Sequence, residues 1–294
     1  MTTPPVCDYT NSDYQTSFWD KGNRDYEDAV EGIALKRLLP KGGKRLLEIG
    51  AGAGRNTPRY KGFSKIILVD YSVTQLEQAQ ARLWNLDRYK FVAANAYHLP
   101  FTNGTFDCAT MIRTLHHMAD EQMALQQAAD VLQKNGIFIL EYANKRNVKA
   151  ILRYLLKKQS WNPFTPESVE FVDLNFDFHP KRIRNQLTEC GFQIERQLTV
   201  SHFRIGILKK LIPHKILVAL DSLVQFTGNY WQYTPSVFTK AVKQSGEMNA
   251  DDTQLFKCPA CNHSPLPDTP PEIRCPSCGR VWKVENGIYD FRID

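Results

Sequence analysis

Residues 46–55 read Leu46-Leu47-Glu48-Ile49-Gly50-Ala51-Gly52-Ala53-Gly54-Arg55, an apolar run that ends in three glycines. The order predicts a β-strand, a tight turn and then a helix. Glycine allows the sharp turn and lets a ligand approach the backbone closely. A dinucleotide fingerprint needs G-x-G-x-x-G, but the sixth position counted from Gly50 is Arg55. The spacing is instead E-x-G-x-G-x-G, starting at Glu48.

Outward from this turn the chain alternates strand and helix. Strand-length apolar runs fall at 45–49, 65–69, 89–93, 106–112 and 136–142, and helical patterns at 26–39, 75–84 and 121–132. Val30, Ile33, Ala34 and Leu38 keep the helical period, and Pro40 with Gly42 and Gly43 stops it. This rhythm predicts an α/β fold with a doubly wound, mostly parallel sheet. Beyond Tyr142 come helices at 148–158 and 180–190, then a final strand pair at 192–199 and 236–242. Between that pair lies a helical insertion, about 204–234, interrupted by Pro213. The expected division is an N-terminal arm (1–25, with Phe18 and Trp19), a large domain (26–243), a linker (244–254) and a small module (255–294).

Asp70 ends the second strand, 20 residues after Gly50, where a carboxylate can accept both hydroxyls of a ribose. Enzymes that use NAD share this acid, so alone it does not discriminate. Glu48, the glycine spacing and Asp70 together resemble the nucleoside-binding loop of class I, Rossmann-like S-adenosylmethionine-dependent methyltransferases of type 11. That cofactor carries no pyrophosphate, so the resemblance implies a loop facing a methionine tail and an adenosine. The segment Ala94-Asn95-Ala96-Tyr97-His98-Leu99-Pro100-Phe101 resembles the family's loop after strand three, with Asn95 in the place of an acid. The Asn95 carbonyl can still accept from an adenine amino group. Residues 106–118 and 132–140 resemble strands four and five, with Asn135 where Pro or Gly is usual. The resemblance implies Glu48, Gly50, Ala51, Gly52 and Gly54 as cofactor residues. It adds Asp70 with Tyr71, Asn95 with Ala96, and Arg113.

The methyl group of this cofactor is already activated, so the protein mainly orients and excludes water. A base is needed only if the acceptor must lose a proton. His116 and His117 follow strand four, Tyr142 ends strand five, and His179 precedes a late helix; these are the candidates for catalysis. The plainer readings are a structural histidine pair and a helix-capping His179.

Cys258, Cys261, Cys275 and Cys278 form C-x2-C-x13-C-x2-C, two knuckles able to hold tetrahedral Zn²⁺ as a structural zinc ribbon. Cys7, Cys108 and Cys190 are scattered, which argues for a reducing compartment and against disulfides. Residues 281–291 resemble small zinc-ribbon modules that activate methyltransferases, and some of those serve RNA modification.

The 294 residues are 43% hydrophobic, and no apolar run is long enough to span a membrane. Residues 1–15 lack a signal-peptide pattern, so a cytoplasmic location is expected. The net charge is +6, but residues 247–294 hold eight acidic and five basic side chains. The remainder is mildly basic, weaker than most nucleic-acid binders. Helix 148–158 carries an apolar stripe and a basic face, and the insertion adds Ile207, Leu208 and Leu211 beside Lys209 and Lys210. Such helices can pack on a core, cover a pocket or lie on a membrane. The leading expectation is a methyltransferase acting on a small or lipid-like acceptor, with possible peripheral membrane contact. The alternatives are an RNA methyltransferase positioned by the ribbon, or a cofactor-binding partner subunit docked through it.

Overall fold

A computed structural model describes residues 4–8, 24–84, 86–246 and 254–293. Most of the expected arm and linker lies outside them. The main sheet takes β1 (Gly43–Ile49), β2 (Phe63–Asp70), β3 (Tyr89–Ala93), β4 (Phe106–Met111) and β5 (Leu132–Ala143) in parallel. A separate antiparallel hairpin follows, β6 (Val169–Val172) and β7 (Asn175–Asp177). Then come β8 (Phe192–Val200) and β9 (Ser236–Lys243), with β9 antiparallel to both β5 and β8. The order 3-2-1-4-5-9-8 places β1 centrally. The doubly wound, mostly parallel sheet is as expected; the hairpin was not foreseen.

Both faces of the sheet are buried, as parallel sheets require. Leu47, Ile49, Ile67 and Val69 enter one core cluster, while Leu46, Ile66 and Leu68 enter the other. That split is the two-residue period of a strand. Helices α1 (Asp25–Leu38), α2 (Val73–Arg82) and α3 (Glu121–Val131) cover the faces, then α4 (Val148–Leu155) and α5 (Pro180–Glu189) follow. Local chemistry sets their starts: Ser72 accepts from Gln75 N, Asp120 from Met123 N, and Asn147 from Ala150 N. The insertion is two helices, α6 (Gly206–Leu211) and α7 (His214–Val224), split at Pro213 as expected, and a 3-10 turn, Gln225–Asn229.

The C-terminal module adds β10 (Glu272–Arg274), β11 (Val281–Glu285) and β12 (Ile288–Asp290) to the same sheet. Asn286 and Gly287 both take positive φ in the two-residue turn from β11 to β12, as such hairpins prefer. β12 then pairs parallel with β3, Ile288 opposite Phe91 and Asp290 opposite Ala93. Phe256 stacks on Phe101 at 5.9 Å and meets Tyr289 and Phe291 at 5.1 and 4.9 Å. The module therefore shares one sheet and one core with the large domain.

Candidate active site

A cleft opens at the C-terminal ends of β1 to β4, the usual ligand position in such sheets. It encloses about 990 Å³, its open mouth included. The β1 turn forms its floor. Gly50 has φ +70°, and a Cβ there would lie 2.1 Å from Thr114 Oγ1. Gly52 has φ +52°, and a Cβ there would meet only Gln75 Oε1 at 3.7 Å, so it would project into open space. Gly54 (φ +70°) packs on Ala79 beneath the turn.

Glu48 lies under this loop. Its Oε2 accepts from Thr57 Oγ1 at 2.6 Å and its Oε1 from Tyr60 OH at 3.1 Å. Burial pushes its carboxyl up to about 7. Asp70 accepts from Gly52 N at 2.8 Å through Oδ2 and from Ser72 N at 3.0 Å through Oδ1. Each carboxylate oxygen carries two lone pairs, so one on each remains for a ribose hydroxyl. Asn95 Oδ1 accepts from Tyr97 N at 2.9 Å, which fixes the amide and leaves one lone pair. Ala51, Tyr71 and Ala96 also line the cleft, as do Val6 and Cys7 of the arm, which sequence reasoning missed. Arg113 lines it differently from expectation. Its guanidinium turns to Glu31, whose other oxygen takes Arg55, so a fully buried acid is clamped by two cations. Its backbone, at φ +59°, donates to Glu141 Oε2 at 3.0 Å.

These walls fit S-adenosylmethionine. Asp70 suits the ribose, the Asn95–Ala96 loop with Ile112 and Met118 suits the adenine, and the Gly52 side leaves room for the methionine tail.

The expected catalytic residues separate. His117 lines the cleft, and its Nδ1 lies 3.1 Å from Leu174 O of the hairpin. His116 is 4.0 Å from it, ring to ring, and burial holds both imidazoles below their usual range. His179 caps α5, its Nδ1 accepting from Lys181 N at 3.2 Å. Tyr142 is fully buried in the core and does not line the cleft. Successive strand residues face opposite sides, so the neighbouring Glu141 points away from it, to Arg113 N and Ser236 Oγ.

The hairpin brings in an acid that sequence reasoning passed over. Phe178 N donates to Ala143 O at 2.8 Å and Lys145 N to Phe178 O at 3.0 Å, which ties β7 to the end of β5. Asp177 thus sits beside the His116–His117 turn, facing the charges of Arg204, Glu141, Arg153 and Lys145. Its carboxylate makes no hydrogen bond or ion pair with any described residue. Burial pushes it up to about 6.

The four cysteines meet as their spacing implies. All four sulfurs lie within 4.8 Å of one another, with Cys258–Cys278 at 3.7 Å and Cys261–Cys275 at 3.6 Å. A tetrahedral Zn–S bond of about 2.3 Å requires S···S near 3.8 Å. Each knuckle closes on a residue of positive φ, Asn262 N donating to Cys258 O and Gly279 N to Cys275 O. His263 stands outside the cluster.

Residues 47–140 match the family described as a methyltransferase domain. The chain is 32% identical over 127 residues to the 27-O-demethylrifamycin SV methyltransferase of Amycolatopsis mediterranei, covering 40% of this chain and 47% of that protein. It is 29% identical over 170 residues to a ubiquinone/menaquinone biosynthesis C-methyltransferase of Haemophilus ducreyi, covering 51% and 65%. The match therefore spans less than two thirds of either relative. The fold is similar to one solved in the complex between the Haloferax volcanii Trm112 methyltransferase activator and a methyltransferase. There the TM-score is 0.56 at 16% identity, over 79% of this chain and 96% of that one. The chain carries a class I S-adenosylmethionine-dependent methyltransferase domain, with a four-cysteine cluster beyond it.

Proposed function

We propose that the protein methylates a small, lipid-like acceptor, with S-adenosylmethionine held by Asp70, the Gly50–Gly54 turn and the Asn95–Ala96 loop. When bound, the cofactor supplies a methyl group already activated on a positive sulfur. The observation that supports the acceptor class is the apolar surface beyond β5, where the hairpin and α4 leave Phe171, Val172 and Leu152 exposed. The two curated relatives, named for a rifamycin precursor and for quinone biosynthesis, support a small acceptor. Asp177 takes the proton from the attacking atom: it is half-buried, no described residue donates to it, and its hairpin meets His117, which lines the cleft. His117, kept neutral by burial, stands between that hairpin and the cleft. The test is transfer of radioactive methyl from S-adenosylmethionine into cell extract, fractionated into RNA, protein, organic-soluble and polar pools. Label in the organic or small-molecule pool is expected; label in RNA would overturn the reading.

The four thiolates hold one structural zinc ion, and the ribbon braces β3, whose end carries the Asn95–Ala96 loop. Elemental analysis should give one zinc per chain. Chelation should lower the thermal midpoint of the whole domain, because sheet and core are shared. Protein without stoichiometric zinc, yet equally stable, would remove the metal from the account.

A further inference from the structure

The exposed apolar side chains are concentrated in one part of the chain. Among the described residues, Trp84 is the only large exposed hydrophobic outside residues 148–233. On α4 only Ala150 is buried, while Leu155 and the following Leu156 are 64% and 63% exposed. On α6 no residue is buried, and Leu211 is 75% exposed. The stripes of α4 and α6 therefore lie largely in solvent, whereas α7 packs on the core through Leu217. Soluble proteins seldom leave contiguous apolar surface uncovered without a use for it.

The same segments are basic. Residues 145–158 hold six basic and no acidic side chains, and residues 201–220 hold four and none. Arg204 and Lys209 are engaged by Glu27. Lys149, Lys157, Lys158, Lys210 and Lys215 form no ion pair with described residues.

Topology puts the segments together. β5 and β8 both run antiparallel to β9, so they run parallel to each other. α4 and α6 therefore leave the sheet at one end, the end where the cleft opens. Tyr230 and Trp231, 82% and 54% exposed, lead into Tyr233, whose carbonyl accepts from Val148 N at the start of α4.

We propose that α4, α6 and the 230–233 segment form a docking surface for an anionic lipid bilayer, set around the acceptor's entrance. Aliphatic side chains enter the acyl boundary, lysines meet lipid phosphates, and Tyr and Trp sit at the headgroup level. An RNA partner would explain the lysines and leave the leucines without a role. Among the described residues no helix is long and apolar enough to cross a membrane, so the contact is peripheral. The inference rests on the proposed function only for its purpose, delivery of a lipid-like acceptor. The binding itself is measured with neither acceptor nor cofactor present, so either can fail alone.

The experiment is flotation of the full chain with vesicles of equimolar phosphatidylcholine and phosphatidylglycerol. Binding is expected with these and at least about tenfold weaker with pure phosphatidylcholine or in high salt. Leu155→Glu with Leu211→Glu, and separately Lys157→Glu with Lys210→Glu, should each weaken flotation about tenfold or more. Cofactor affinity and thermal midpoint should stay unchanged, which shows that the variants fold. No flotation of the unaltered chain, flotation indifferent to both double variants, or tighter binding to polyuridine RNA than to the vesicles would overturn the proposal.

Discussion

The half of the sheet around β1 and β2 and the segments α4 and α6 with the β6–β7 hairpin treat the same kinds of side chain in opposite ways. In the first, Leu46, Leu47, Ile66 and Leu68 are withdrawn from water, and the acids Glu31, Glu48 and Asp70 are each met by at least two donors. In the second, leucines stand in solvent and Asp177 has no donor among the described residues. A site built for one unchanging ligand can be fixed in advance. A site that admits an acceptor must keep unsatisfied groups ready for it.

The largest effect that would test this contrast is on stability. Leu47→Ala should cost about 2–5 kcal/mol in urea unfolding, the usual range for a buried leucine. Leu155→Ala should stay within about 0.5 kcal/mol. A comparable loss at Leu155 would mean that α4 is packed and would dissolve the comparison.

Next in size are two variants that should cross. Asp177→Asn should slow methyl transfer into the labelled acceptor pool about 100-fold, leaving cofactor binding intact. Transfer in the unaltered chain should rise with pH through about 6, since the carboxylate accepts a proton only when ionised. Asp70→Ala should weaken S-adenosylmethionine binding at least about tenfold by calorimetry. If both variants hit the same parameter, the two regions are not functionally separate.

Much of the first region was legible in the residues. Glycine spacing and Asp70 marked the cleft because a tight turn and a terminal carboxylate leave little choice of residue. Asn135 reads as the lead-in to a strand starting at 136, but β5 starts at Leu132 and Asn135 takes φ +65° in the bulge of its pairing with β4, a conformation that few other side chains tolerate. The second region was less so. The hairpin strands β6 and β7 are short and carry no clean alternation, so Asp177 looked like one acid in an aromatic loop. The stripe on α4 has the same period whether it faces a core, a lid or a bilayer. Tyr142 was a candidate, and only the facing of β5 shows that its ring enters the core. The pairing of β12 with β3 joins residues nearly 200 positions apart, which no local pattern encodes.

That pairing also bears on how the molecule is made. During synthesis β3 emerges long before residues 288–290, so its outer edge stays open while most of the chain is translated. An unpaired strand edge invites association with other nascent chains. The C-terminal module closes that edge, and on the proposed zinc reading its four thiolates place the closure under the control of metal supply.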